Sequence, residues 1–168
     1  MSPEVRAVEG RVWVFSEPNL NTDLIMPAAA FRLPRDEQVK LVFSANRPGW
    51  AEQVRPGDIV VGGRNFGTGS SRPGAELFKL LGIAGLVAES INDLFYRNSV
   101  NYALPAMECP GILAAVKEGD IVWLDVIAGK VTNLSSGEAL SGAPMPDLLR
   151  EIIEAGGLFE KLRREGYI

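Results

Sequence analysis

Hydrophobic residues are spread along this chain in short runs, separated by glycine, proline and polar clusters, and the period of each run predicts the element it forms. Residues 10–16, apolar at Val12, Val14 and Phe15, predict a strand, and residues 19–27 a polar loop leading to an apolar step that ends at Pro27. Val39, Val42 and Phe43 share one face of a helix over residues 35–45. The run Asp58-Ile59-Val60-Val61 predicts a short buried strand, and the segment after Pro73 an amphipathic helix. Strands are predicted at 84–89 and 104–108, with a helix at 92–102 between them. From Asp120 the texture changes. Runs at 121–126, 130–134 and 138–140 turn at Ala128-Gly129 and Ser135-Ser136-Gly137, which predicts a hairpin-rich β section. Residues 147–164 close the order with two helical stretches broken at Gly156-Gly157. Periodicity alone therefore gives an α/β chain with a β hairpin, and no internal repeat or low-complexity linker.

Composition narrows the picture. At 168 residues and 46% apolar content the chain fits one domain, 1–168, around one core. A net charge of −4 without a basic run disfavours a nucleic-acid surface. No apolar stretch approaches the roughly 18 residues of a membrane span, and the first residues lack a signal peptide's apolar segment, so the expectation is a cytoplasmic protein with no membrane partner. Cys109 is the single cysteine and there is no histidine. That inventory rules out an intrachain disulfide, a multi-thiolate iron–sulfur site, a zinc site and a Ser-His-Asp triad within the chain. Cys109 itself reads as a small buried core residue rather than a ligand.

The densest chemistry lies between positions 62 and 74, reading Gly-Gly-Arg-Asn-Phe-Gly-Thr-Gly-Ser-Ser-Arg-Pro-Gly. Gly62, Gly63, Gly67 and Gly69 permit positive φ and close approach of a ligand to the backbone. Ser70 or Ser71 is placed to cap the following helix, with Pro73 at its first position. Helix-start N–H groups, two hydroxyls and the forked guanidinium of Arg72 would then converge on an anion, a carboxylate or a phosphate. The P-loop pattern fails, because no lysine lies between positions 62 and 76. The dinucleotide fingerprint fails as well, because Arg72 stands where its third glycine belongs. A glycine-rich connecting turn with a serine cap and a solvated arginine is the simpler alternative. In the second polar segment, Thr22 and Asp23 form either a capped turn or a carboxylate fixed at the core edge.

At these residues the chain resembles the aconitase superfamily's swivelling domain, found as a separate chain in the small subunits of 3-isopropylmalate dehydratases. Asn65-Phe66-Gly67-Thr68-Gly69-Ser70-Ser71-Arg72 is similar to that family's Gly-Ser-Ser-Arg loop. Asn19-Leu20-Asn21-Thr22-Asp23-Leu24-Ile25-Met26-Pro27-Ala28 resembles its Thr-Asp-x-Ile-x-Pro segment. Residues 92–101 with Leu104-Pro105, and the tail around Glu154-Ala155-Gly156-Gly157-Leu158, match in the same order. The resemblance implies a layered β/β/α swivelling fold and a small subunit that dehydrates and rehydrates a 2-hydroxy di- or tricarboxylic acid, foremost 2-isopropylmalate in leucine biosynthesis. It implies Ser70 as the base taking the proton α to a carboxylate, Ser71 as a ligand of substrate oxygen and Arg72 as a bidentate carboxylate clamp. Gly67, Gly69 and Thr22 would line the substrate, and Asp23 would stand in the active site facing a large subunit. Arg32, in the short recognition loop 28–34, either reaches a distal carboxylate or is solvated. The large subunit would carry the [4Fe-4S] cluster, with none bound by this chain, and the lone chain's exposed docking face leaves homo-oligomerisation open.

Two departures keep alternatives open. Many family members read Ser-Ser-Arg-Glu-His-Ala, whereas this chain has Pro73-Gly74 after Arg72, and its recognition loop carries three alanines in place of a tyrosine-containing version. Homoaconitate, 2-methylmalate with citraconate, and a dimethylmalate stay on the list of substrates. A non-catalytic anion-binding or interaction module that kept the fold is the alternative of another class.

Overall fold

The computed structural model describes residues 7–69 and 72–168. Among the described residues seven strands form one sheet in the order β4-β3-β2-β1-β5-β6-β7. They are β1 (Val8–Phe15), β2 (Ile59–Gly62), β3 (Gly85–Ala88), β4 (Ala106–Glu108), β5 (Ile121–Asp125), β6 (Lys130–Asn133) and β7 (Ala139–Ser141). β1 through β4 run parallel, while β5, β6 and β7 join antiparallel. β1 divides its partners along its length. Its first half, from Val8 to Arg11, pairs with β5, and its second half, from Val12 to Phe15, pairs with β2.

Alternation along the parallel strands separates two cores. Trp13, Phe15, Val60, Leu86, Ala88 and Ala106 face one cluster, which also takes Phe43, Trp50, Leu77, Phe78 and Phe95 from the segments that cover that side. Val12, Ile59, Val61, Val87 and Met107 face the other, packed with Val122, Leu124 and Val131 of the antiparallel strands. A β layer thus lies over one face of the parallel strands and helices over the other, the β/β/α layering that the resemblance implies. The helices are α1 (Thr22–Ile25), α2 (Arg35–Lys40), α3 (Trp50–Gln53), α4 (Gly74–Leu80), α5 (Asp93–Asn101), α6 (Ile112–Ala115), α7 (Asp147–Glu154) and α8 (Leu158–Arg164). None of the described helices is long and apolar enough to cross a membrane. Cys109 is buried in the second core.

Local departures from the periodicity have tertiary causes. The predicted helix over 35–45 stops at Lys40, because Phe43 sits at φ 58. In that left-handed conformation its ring stacks on Phe15 at 4.1 Å and meets Trp50 edge-on at 5.1 Å, and this aromatic packing outweighs helical continuation. Within the polar stretch 19–27 the chain makes the single turn α1, capped by Asn21, whose side chain accepts from the Asp23 N–H at 2.8 Å. α4 starts at Gly74, after Pro73 as the apolar spacing predicts, but one position beyond the Pro73 read as its first residue. Pro73 occupies its N-cap position with ψ 50 and no side-chain cap bond, and Gly74 N–H donates to the Arg72 carbonyl in a tight kink just before the helix, while the capping role read for Ser70 or Ser71 falls outside the described residues.

Candidate active site

Two loops at the C-terminal ends of the parallel strands build the site, and backbone bonds fasten them to each other. Asn19 N–H donates to the Arg64 carbonyl, Gly67 and Thr68 N–H both donate to the Leu20 carbonyl, and Thr22 N–H donates to the Thr68 carbonyl at 2.8 Å. Side chains add to this, Asn65 Nδ2 donating to Asn19 Oδ1 and Thr68 Oγ1 to the Asn19 carbonyl. Phe66 anchors the glycine loop from below. It is fully buried, edge-on to Phe95 at 5.5 Å. Gly67 and Gly69 both adopt φ 83. A Cβ on Gly67 would lie 2.3 Å from the Phe95 ring, and one on Gly69 would crowd the Asn21 amide. Gly62 and Gly63 differ from the expectation of positive φ. Their need is space alone, since a Cβ there would strike the Phe66 ring or the Ser16 carbonyl.

This fastening brings Arg72 to Asp23 across 49 positions of sequence. Arg72 Nε donates to Asp23 Oδ1 at 3.0 Å, and the Phe31 ring covers the guanidinium, with Cζ 4.8 Å from the ring centroid. The Arg72 side chain keeps only 16% of its exposure, while Asp23 keeps 59%. Arg72 is therefore held and partly dried from one side, beside a carboxylate that faces outward. Thr22, immediately before Asp23, is buried, and its hydroxyl finds no hydrogen-bond partner among the described residues. A buried hydroxyl without a partner is costly unless a ligand or neighbour satisfies it.

Of the residues singled out from sequence, Arg72, Asp23, Thr22, Gly67 and Gly69 converge here. Ser70 and Ser71 lie outside the described residues. Arg32 is exposed in the segment after the short 3-10 turn Ala28–Ala30, and it is Phe31, not Arg32, that lies against Arg72. Sequence reasoning misses Phe31, which reads as one more apolar residue of the step. It also misses Gln38, buried in α2, whose Nε2 donates to the Ala30 and Leu33 carbonyls on either side of Phe31. An aromatic flanked by alanines and a basic residue, followed seven positions later by a polar residue on an apolar helix face, is the signal available. A separate cavity of about 280 Å³ is lined by Asp93, Tyr96, Glu108, Ala143 and Pro144 among others. Its charged side chains, Asp93 and Glu108, are both acidic, so it offers no counter-charge to a carboxylate, whereas Arg72 does.

The comparisons with known proteins bear on this geometry. Residues 31–110 match the model of the aconitase C-terminal domain. The chain is 42% identical to the isopropylmalate/citramalate isomerase small subunit of Methanocaldococcus jannaschii, over 94% of this chain and 95% of that one. The chain belongs to the 3-isopropylmalate dehydratase small-subunit family. Another relative, the 3-isopropylmalate dehydratase small subunit 1 of Methanopyrus kandleri, is 41% identical over 95% of this chain and 94% of its own. The crystal structure of a 3-isopropylmalate dehydratase from Methanocaldococcus jannaschii superposes with a TM-score of 0.87 at 30% identity, covering 95% of both chains. The small-subunit fold therefore extends over nearly all of this chain, beyond the segment matched by the domain model. An iron–sulfur cluster does not fit this member's own donors. One buried thiol and no imidazole cannot ligate it, and no group of three potential metal ligands occurs among the described residues.

Proposed function

We propose that the chain is the small subunit of a two-chain hydro-lyase that isomerises 2-isopropylmalate to 3-isopropylmalate in the cytoplasm, with residues 1–168 acting as one swivelling domain. The observation that carries this reading is Arg72, bonded at Nε by Asp23 and covered by Phe31 beside two positive-φ glycines. With Nε engaged and no bond from Nη1 or Nη2 to another described residue, the terminal edge can donate to a substrate carboxylate in a bidentate fork.

Around the clamped carboxylate, Ser70 Oγ takes the proton from the adjacent carbon and returns it on rehydration. A serine alkoxide is costly in water, and the neighbouring Arg72 charge lowers that cost in a site from which water is excluded. Ser71 binds substrate oxygens, Thr22 supports the Asp23 turn from its buried position at the edge of the substrate site, and the backbone at Gly67 and Gly69 lets the substrate approach closely. A [4Fe-4S] cluster carried by a large subunit supplies the Lewis acid for the departing hydroxyl. The outward-facing Asp23 supports this division, because the half-site is open on the side where a second chain would close it.

Coexpression with a cluster-loaded large subunit tests the proposal. The purified complex should turn over 2-isopropylmalate, and the isolated chain should not. Turnover by the chain alone, or none by the loaded complex, would overturn it. The name of the Methanocaldococcus jannaschii relative favours a second substrate, 2-methylmalate (citramalate), and the same assay with that acid tests it.

A further inference from the structure

We propose that Phe31 is a positioning residue, an exposed ring that fixes the plane of the Arg72 guanidinium and shields one face of it from water. The inference rests on the reading of Arg72 as a carboxylate clamp. Phe31 is 62% exposed and contributes little to either core, yet its ring lies over the guanidinium at 4.8 Å. The ring contact at Cζ and the hydrogen bond at Nε hold the group at two different points. Together they aim the terminal nitrogens before substrate arrives, which reduces the ordering left to binding.

The backbone that carries the ring is braced on both sides. Gln38 Nε2 donates to the Ala30 carbonyl at 3.2 Å and the Leu33 carbonyl at 2.9 Å, and Gln38 retains only 3% of its exposure. Its own Oε1 accepts from Arg35 Nη1, and Arg35 Nη2 reaches Glu76 Oε2 at 3.1 Å. Glu76 lies in α4, the helix that follows Arg72 directly. The ring and the guanidinium beneath it are thus tied to the same helix, so their separation is set by this chain.

The test compares Phe31→Leu, Phe31→Tyr and Phe31→Trp in the assembled complex. Leucine keeps apolar bulk and loses the ring's negative face, while the other two keep that face. The Leu variant should lower kcat/KM about 3- to 30-fold, mainly through KM, and the Tyr and Trp variants should stay within about threefold of the parent. In an Arg72→Lys background the Leu change should lose most of its effect. Equal damage by Leu and Tyr, or no effect of Leu in an active parent complex, overturns the inference while leaving the proposed function intact. NMR of the full chain alone reads the pair independently of any activity. The Arg72 Nε–H signal should be shifted by the ring in the parent and the Tyr variant, and lose that shift in the Leu variant while the Asp23 bond keeps its exchange slow. Identical Arg72 signals in all three would refute the stacking whether or not the complex turns over 2-isopropylmalate.

Discussion

Arg72→Lys separates geometry from charge at the site. Arginine offers Nε to Asp23 and still presents a two-nitrogen edge, whereas lysine offers one nitrogen on a flexible stem. The lysine ammonium can meet Asp23 or the substrate carboxylate, but it cannot hold both in the arginine's arrangement. A hydrogen bond between charged groups is worth about 1.5–3 kcal/mol. Losing one of the two bonds to the substrate should therefore lower kcat/KM about 10- to 150-fold. Folding stability should change far less. The Arg72–Asp23 pair has one well-exposed partner, so solvent screening limits its contribution to less than about 1 kcal/mol. Steady-state kinetics of the purified complex, alongside denaturant unfolding of the same variant, measures both quantities. A Lys variant within about threefold of the parent would refute the bidentate clamp, because the charge alone would then suffice. A large loss of stability would instead make Arg72 a structural residue.

Gly67→Ala should destabilise the fold by about 2–5 kcal/mol in denaturant unfolding, combining about 1–2 for an alanine at φ 83 with about 1–3 for a Cβ driven against the buried Phe95 ring. An unchanged midpoint would mean that the loop is not seated on Phe95. Asp58 provides a pH test far from the site. Burial pushes its carboxyl upward, but the Arg11 bond, the Arg55 N–H and the Trp13 indole N–H outweigh burial and hold it below the usual aspartate value. A depressed folded value stabilises the protein above the unfolded pKa, and that contribution is lost as pH falls through the folded one. Asp58→Asn should accordingly cost about 1–3 kcal/mol near neutrality, with the gap to the parent closing as pH drops below the ordinary aspartate range. A gap that does not change with pH would contradict the charged network.

Each of the seven described strands falls on a segment predicted from sequence, β2 and β3 as unbroken apolar runs and β5 and β6 as alternating runs joined at the Ala128-Gly129 turn. Helix lengths are less legible. Phe43 ends α2 by stacking on an aromatic 28 positions earlier in sequence, which no local period encodes. α3 and α6 are four residues each and too short to repeat a period, although both follow a Pro-Gly pair whose glycine is left-handed, at Gly49 and Gly111. At the site, the glycine spacing and the Thr22-Asp23 pair mark the two loops. Their fastening through Leu20 and Thr68 carbonyls is a backbone event without a side-chain signature. Phe31 and Gln38 stay hidden for the same reason: their work depends on which carbonyls and which guanidinium the fold places beside them.

In the proposed division of labour this chain supplies the proton-abstracting oxygen while a second chain supplies the Lewis acid. Turnover of 2-isopropylmalate by a complex carrying Ser70→Ala, matched to the parent in subunit ratio and cluster content, tests it most directly. Assembly should be normal and kcat lower by about 10²- to 10⁴-fold, the span removed with a general base. A Ser70→Ala complex that turns over substrate at the parent's rate would contradict it.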